Sequence, residues 1–486
     1  MKYVVKLFPE IIVKSRQVRA RLVKQLRQNL RNILSKIDSE IRLTGNWDRI
    51  EVKTSSDDEA LCDQVESCLM QTPGITFSWR VEAIQFNALD DIVPAMLDAY
   101  REQVNGKTFR VSVKRVGKHD FNSMDVERFL AGEIFKNCQP AGVNLKAPEV
   151  NVQVDIVHDQ ANVVTRYLPG IGGYPLGSQN AVISLISGGY DSTVSSYLTM
   201  RRGLRTHFCF FNLGGSAHEI GVKQVAHYIW QKYGSSHRVR FFSVPFEPVV
   251  AEILKNVDNA YMGVILKRMM LKAASRIAEN LGVEALVTGE SLAQVSSQTL
   301  TNLSMIDSVT DCLVLRPLVT WDKQPIIDLA AEIGTAGFAA AMPEYCGVIS
   351  DRPTISAKRS KVEAEESKFD FGVLEQALEQ TQVQNIDEVI EKSVVSFDGV
   401  EVVSTPSLDD VVIDIRHPTE EEKKPLFLTN NDILKIPFYE LSTKFSALSQ
   451  DKSYALYCDK GVMSKVQVHH LMEQGAENVK VYQPSK

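Results

Sequence analysis

Between Ala181 and Leu315 the chain alternates short apolar runs with amphipathic stretches, a pattern that leaves few folds open. The apolar runs are Val182–Ile186, Thr206–Phe211, Val239–Val244, Ala285–Thr288 and Leu313–Leu315, and helical periodicity fills Asp191–Met200, Glu219–Lys232 and Leu266–Asn280. Gly203, Gly234 and Gly282 stand just past those helices, where a C-terminal cap favours glycine. Such repetition predicts an α/β domain over 179–392, built on a doubly wound parallel sheet that binds ligands at the carboxyl ends of its strands.

At 486 residues the chain exceeds one core, and the flanking segments read as further domains. Residues 1–80 alternate strands with a long basic helix, Ser15–Leu34, and a second helix, Asp58–Cys68, as in a ferredoxin-like α+β unit. Residues 81–167 read as another small α+β unit around the strand Thr108–Arg115. The breaker cluster Gly170–Gly177 predicts a linker over 168–178, and Pro175 spoils it as a dinucleotide fingerprint. The α/β pattern lapses over 393–406, a second linker, and 407–486 forms a last compact unit with strands at Val411–Ile415, Tyr454–Tyr457 and Val479–Val481.

The net charge of −6 hides a polarised distribution. Ten lysines and arginines, Arg16, Arg19 and Lys24 among them, face one acid in the first 36 residues, whereas acids dominate after Glu363. With Lys107, Arg110, Lys114, Arg115 and Lys118 they form a cluster suited to a polyanion, although any one of them alone reads equally as a solvated face. No apolar run is long enough to span a bilayer and the N-terminus lacks a signal-peptide core, so no membrane association and a cytoplasmic location are expected. Seven cysteines without a C-x-x-C pair predict neither a zinc nor a cluster site.

Ser187-Gly188-Gly189-Tyr190-Asp191-Ser192 follows the strand Val182–Ile186 and opens a helix. Two glycines let the backbone approach an anion, and the helix N-terminus supplies free N–H groups. A capped type I turn would use the same residues, but the order of strand, loop and helix favours phosphate. No G-x-x-x-x-G-K-[ST] is present. Thr288-Gly289-Glu290 occupies a second ligand-side position, and Lys267-Arg268 could offset phosphate charge. Near the end of the chain Cys458 lies between an apolar strand and a helix, so backbone N–H groups would stabilise its thiolate. Cys346, in Pro343-Glu344-Tyr345-Cys346-Gly347-Val348, is read as a surface loop cysteine, while Cys62, Cys68, Cys138, Cys209 and Cys312 are read as small core residues.

The S-G-G-x-D-S loop resembles that of the ATP pyrophosphatases, the PP-loop family, which split ATP between the α and β phosphates. The Cys458 loop, with Asp414-Ile415-Arg416 upstream, resembles a rhodanese domain, departing from the thiosulfate-using members at Met463, where many carry arginine. Taken whole, the chain resembles the tRNA 4-thiouridine synthetases in their long form: ferredoxin-like domain, THUMP domain, PP-loop domain and C-terminal rhodanese domain. The resemblance implies that Leu185, Ile186, Lys267, Gly289 and Gln298 contact ATP beside Ser187, Gly188, Gly189, Asp191 and Ser192. It further implies that Asp191 and Lys323 are needed for activation, that Cys346 pairs with Cys458, and that ATP is used with Mg²⁺. The implied partners are tRNA, a cysteine desulfurase as persulfide donor, a sulfur-carrier protein of thiamine synthesis and a cellular reductant, with monomer or homodimer left open. Its implied reaction is transfer of persulfide sulfur to the uridine at position eight through an adenylated base. Another PP-loop ligase acting on RNA, or a binding scaffold with a decayed nucleotide site, are the rival readings.

Overall fold

A computed structural model describes residues 1–46, 49–213, 215–342, 352–390, 400–416, 418–459 and 461–484. Its contacts divide the chain into two units, residues 1–179 with 201–203, and residues 180–200 with 204–486.

The first unit is built on one eight-stranded sheet. Its strands are β1 (Lys2–Leu7), β2 (Arg42–Asn46), β3 (Arg49–Lys53), β4 (Ile75–Gln85), β5 (Thr108–Val116), β6 (Gly142–Val143), β7 (Val150–Val157) and β8 (Gln160–Gly172), in the order β2-β3-β1-β4-β8-β7-β5-β6. Alternation decides the faces. Tyr3, Val5 and Leu7 of β1 pack on Leu22, Leu26 and Leu30 of the helix Arg16–Leu34, and Phe109, Val111 and Val113 of β5 pack on Leu130 and Ile134 of the helix Ser123–Asn137. Asp58 caps the helix Glu59–Gln71 by accepting from the Leu61 amide, and Asn122 and Asp125 form a capping box, each cap contributing roughly 1 kcal/mol.

β4 crosses the domain boundary expected between 80 and 81, runs on to Gln85 and pairs with β8 from Ile75–Gly172 to Gln85–Gln160. Sequence reasoning missed β8, because it begins two residues after β7, and read its end as part of a breaker cluster. Gly170 belongs to β8 instead, at the register shift between the Ile75–Gly172 and Phe77–Pro169 pairs: a Cβ there would lie 2.3 Å from the Ile75 carbonyl oxygen, so the strands meet where only glycine fits.

The second unit contains two sheets. In the first, β9 (Ala181–Leu185), β10 (Arg205–Asn212), β11 (Arg240–Pro245), β12 (Ala285–Val287), β13 (Leu313–Leu315) and β14 (Gln382–Asn385) take the order β13-β12-β9-β10-β11-β14. All pairs are parallel except β11 with β14, an antiparallel edge that sequence reasoning did not foresee. Gly282, at φ +67°, closes the helix Met262–Leu281 as expected. Ile183 and Leu286 pack with Leu266, Met269 and Ile277 of that helix, each such fully buried side chain contributing on the order of 1.5–3 kcal/mol. The second sheet is parallel: β15 (Val402–Val403), β16 (Asp410–Asp414), β17 (Ile433–Lys435), β18 (Ser453–Tyr457) and β19 (Val479–Tyr482), ordered β15-β19-β18-β16-β17. Two of its strands, β15 and β17, are too short to stand out in the sequence. Among the described residues no helix is long and apolar enough to cross a membrane.

Candidate active site

The loop Ser187–Ser192 sits where β9 ends and the helix Tyr190–Arg201 begins. Gly188 has φ +84°, and the Ser187 amide donates to Ser192 Oγ at 3.2 Å, drawing the loop closed around its glycines. The chain after β12 presses onto the same turn. A Cβ on Gly289 would lie 2.6 Å from the Asp191 carbonyl carbon and 2.7 Å from the Ser192 nitrogen, so close an approach that no larger residue is accommodated without moving backbone.

Asp191 leads out of this turn, its two carboxylate oxygens 2.8 and 2.9 Å from Lys323 Nζ, with Gln294 Nε2 3.2 Å from Oδ2. Lys323 is the first residue of the helix Lys323–Ile333, and its ammonium stands 5.7 Å from the Tyr190 ring centroid. Residues 132 apart in sequence are thus joined at the glycine loop.

A second ionic group lies behind Gly289. The buried Glu290 accepts from Lys267 Nζ and from Arg316 Nε, each at 2.7 Å, and Arg316 forks onto Asp307 at 2.8 and 2.6 Å. Burial alone would raise the Glu290 pKa, but Lys267 and Arg316 outweigh it and hold the carboxyl at about 2. Lys267 is therefore oriented by a fixed anion. Its neighbour Arg268 is not part of the site: it is buried in ion pairing with Glu366 and donates to Ser308 Oγ at 2.9 Å, which excludes the phosphate-neutralising role its pairing with Lys267 suggested.

Sequence reasoning also missed His218, buried on the helix Gly215–Ile229, whose Nε2 is 3.2 Å from the Ser187 carbonyl oxygen. Burial depresses its pKa, partly countered by that carbonyl, so the ring is biased toward neutral and donates to the loop's first residue. A lone histidine on the helix after the next strand carries no sequence signal for such a role. Ile186 is buried and its amide donates to the Cys209 carbonyl at 2.9 Å, while Leu185 is half-buried. Gln298 is buried, and its Oε1 has no hydrogen-bond partner among the described residues. An orphaned acceptor, two lysines and a glycine loop at a helix N-terminus together fit a nucleotide, whose exocyclic amine and phosphates need those groups.

Cys346 lies outside the described residues. Met342, four positions earlier, packs against the loop: a Cβ on Gly188 would meet its side chain at 3.1 Å, and one on Gly221 would meet its Cε at 2.3 Å. Cys458 follows β18 and is 7% exposed. Its Sγ accepts from the Ser464 amide at 3.3 Å, at the start of the helix Val462–Glu473, and the Gly461 amide donates to the Cys458 carbonyl at 3.1 Å with Gly461 at φ +71°. Arg416 braces this loop: it grips Asp414 at 2.9 and 2.5 Å, reaches Asp459 at 3.3 Å, and lies over the Tyr457 ring. Together Asp414 and Arg416 are a buried clamp on the residue after Cys458.

On the basic side, Arg110 and Lys114 share the sheet face opposite the helices. There Lys6 stands 4.4 Å and Lys114 5.9 Å from the Trp79 ring centroid, and Phe77 lies 5.2 Å from the exposed Tyr167. Lys107 and Lys118 are exposed at the two ends of β5. Arg115 points to the other face, bonded to His119 Nδ1 at 2.9 Å and set over Phe121. Arg16 and Lys24 are exposed on the first long helix, and Arg19 donates to the Ile12 carbonyl at 3.1 Å.

A family model described as thiamine biosynthesis protein (ThiI) matches residues 177–371, and one described as THUMP domain matches residues 85–166. Proteins called tRNA sulfurtransferase from Shewanella sp. (strain MR-4) and from Escherichia coli are 52% and 51% identical over 484 residues, covering 100% of this chain and 100% of each relative. The chain belongs to the tRNA sulfurtransferase family. Its fold matches that of a 4-thiouridine synthetase solved in an RNA complex with bound ATP, at a TM-score of 0.70 and 24% identity over 79% of this chain and 99% of that one. It also matches PH1313 from Pyrococcus horikoshii, at a TM-score of 0.53 and 19% identity over 69% of this chain and 100% of that one. Family membership thus embraces the basic sheet, the glycine loop and the cysteine loop together.

Proposed function

We propose that this chain transfers persulfide sulfur to a tRNA uridine, the one at position eight by family resemblance, after activating the base with ATP to give 4-thiouridine. The observation that carries the reading is the meeting of Asp191 and Lys323 at the glycine loop, which puts a cation beside an anion cradle at the end of a central strand. A ligase reading would explain that loop but leaves the braced Cys458 loop without work, and full-length kinship with sulfurtransferases favours sulfur chemistry.

In the proposed reaction the glycine loop holds the β and γ phosphates, with Leu185, Ile186 and Gln298 around the nucleoside. The uridine O4 attacks the α-phosphorus and pyrophosphate leaves, with Lys323 and Lys267 offsetting the charge that develops. Asp191 is the carboxylate suited to hold Mg²⁺, which would neutralise phosphate charge there. Adenylation turns O4 into a leaving group. The terminal sulfur of a Cys458 persulfide then attacks C4 and AMP departs with the oxygen, leaving a disulfide between Cys458 and the base. The Cys346 thiolate attacks the Cys458 sulfur, releasing the thiolated base and leaving a Cys346–Cys458 disulfide that a thiol reductant must reopen. In the alternative order Cys346 attacks the persulfide first and frees hydrosulfide, which displaces AMP, with the same disulfide as outcome.

The persulfide would come from a cysteine desulfurase, and the same sulfur would pass to a carrier protein for thiamine synthesis, in keeping with the thiamine family match. The tRNA would lie on the open sheet face that carries Arg110 and Lys114, through contacts to phosphate and shape rather than to base edges, whereas Arg16 and Lys24 stand on a helix of the opposite face. The test is the 4-thiouridine absorbance of tRNA from cells carrying only Asp191→Ala or Cys458→Ala. Both should lack it; normal thiolation in either overturns the reading, and loss in the first alone points to a ligase.

A further inference from the structure

The helix Gly215–Ile229 touches two loops that no sequence signal connects. Near its start His218 bonds the Ser187 carbonyl of the glycine loop. Six residues on, Gln224 Nε2 lies 2.9 Å from the sulfur of Met463, in the first turn of the helix that opens behind Cys458. A rise of about 1.5 Å per residue separates the two contacts by only about 9 Å along the axis. A second contact backs the first: Phe438 meets Phe338 edge-on at a centroid distance of 5.1 Å, and Phe338 packs on Tyr228 of the same helix at 5.2 Å. Gln224, Phe338 and Phe438 are 5%, 0% and 9% exposed, so this is a packed interface and not a grazing contact.

We propose that Gln224, Tyr228 and Phe338 form the surface on which the Cys458 loop docks to deliver its sulfur, and that the loop must leave this surface to be loaded. The inference rests on Cys458 being the persulfide carrier. Two observations support it. Met463, which stands where many thiosulfate-using rhodaneses carry arginine, is the very residue that reaches Gln224, and a thioether suits a packed contact where a guanidinium would need an anion. Cys458 is 7% exposed in this arrangement, whereas a persulfide held on another protein must reach Sγ directly. Docked and loading-competent arrangements are therefore different states of one chain.

The test uses the full-length protein with a cysteine desulfurase and ³⁵S-cysteine, reading label on Cys458 and label in tRNA separately. Phe438→Ala and Gln224→Ala, made singly and together, should load at least as fast as the unmodified protein and thiolate tRNA at least tenfold more slowly in a single turnover. Thiolation at the normal rate by the double variant overturns the docking surface. Should Phe438→Ala fail to fold, loading would fail with it, and Gln224→Ala paired with Met463→Ala then decides on the same criterion. A Gln224→Cys, Met463→Cys protein bridged by a short bismaleimide, with the link confirmed by peptide mass spectrometry, should lose loading; unimpaired loading of the bridged form overturns the requirement to undock. Cys458→Ala separates the two levels: if it still thiolates, the persulfide reading falls, and if it does not while the docking variants behave normally, only the docking surface falls.

Discussion

Replacing Glu290 by glutamine should destabilise the nucleotide domain by about 3 kcal/mol at pH 7 while preserving shape. The magnitude comes from the carboxyl's displacement from an ordinary 4.5 to about 2 by Lys267 and Arg316, at about 1.36 kcal/mol for each pH unit. A lowered carboxylate pKa contributes stability that is fully present above the unfolded value and is lost as pH falls through the folded one. The contribution should thus be complete above pH 4.5, fall to about 1 kcal/mol at pH 3, and vanish below about 2. Arg316 keeps Asp307 in the variant, but Lys267 loses the carboxylate it pairs with, which places most of the cost at the helix Met262–Leu281. Hydrogen exchange read by mass spectrometry on peptides covering β12 and that helix measures the difference directly, since deeply buried amides exchange through larger openings. Equal protection of the two proteins at pH 7, or a difference that does not shrink at pH 3, would refute the assignment of Glu290 as the anion that holds Lys267.

Gly289→Ala should cost up to about 10²-fold in the adenylation step, measured as pyrophosphate release, because the new Cβ displaces the turn at Asp191; sulfur loading onto Cys458 should be untouched. Arg416→Ala should destabilise the C-terminal sheet by roughly 3–5 kcal/mol, by leaving the buried Asp414 unpaired, and should be seen as a lower urea midpoint with the thiol more reactive to iodoacetamide. Lys114→Ala should lower the salt slope of tRNA binding by about 1, whereas Arg115→Ala should leave it unchanged, because Arg115 is turned to the other face of the sheet. Equal slopes for the two variants would remove the open sheet face as the tRNA surface.

The alternating pattern from Ala181 onward located five strands of the nucleotide sheet to within one residue at nearly every end, because buried parallel strands and their helices differ sharply in period. The glycine loop with Asp191 was legible for a different reason: phosphate chemistry restricts residue types to a few, in a fixed order after a strand, whereas Lys267 was read only as a nearby charge and Lys323 came from the family resemblance alone. Glu290 was visible only as a neighbour of Gly289, since nothing local says that its carboxylate binds Lys267 and Arg316. His218 and Gln224 could not be read at all. Their roles depend on which face of one helix meets which loop, a property of tertiary packing that leaves no mark on local spacing. The strand β8 was hidden by its glycines, which are a loop signal until a partner strand is close enough to require them.

The long ladder between β4 and β8 has a consequence for how this chain can be divided. A fragment beginning at residue 81 would retain five residues of an eleven-residue strand and strip β8 of half its pairs on that side. An unpaired edge of that length invites pairing with other copies, so the shortened protein should collect in aggregates rather than yield a smaller RNA-binding module. What reads in the sequence as two beads on a string is, to a protease or a gene truncation, a single indivisible piece.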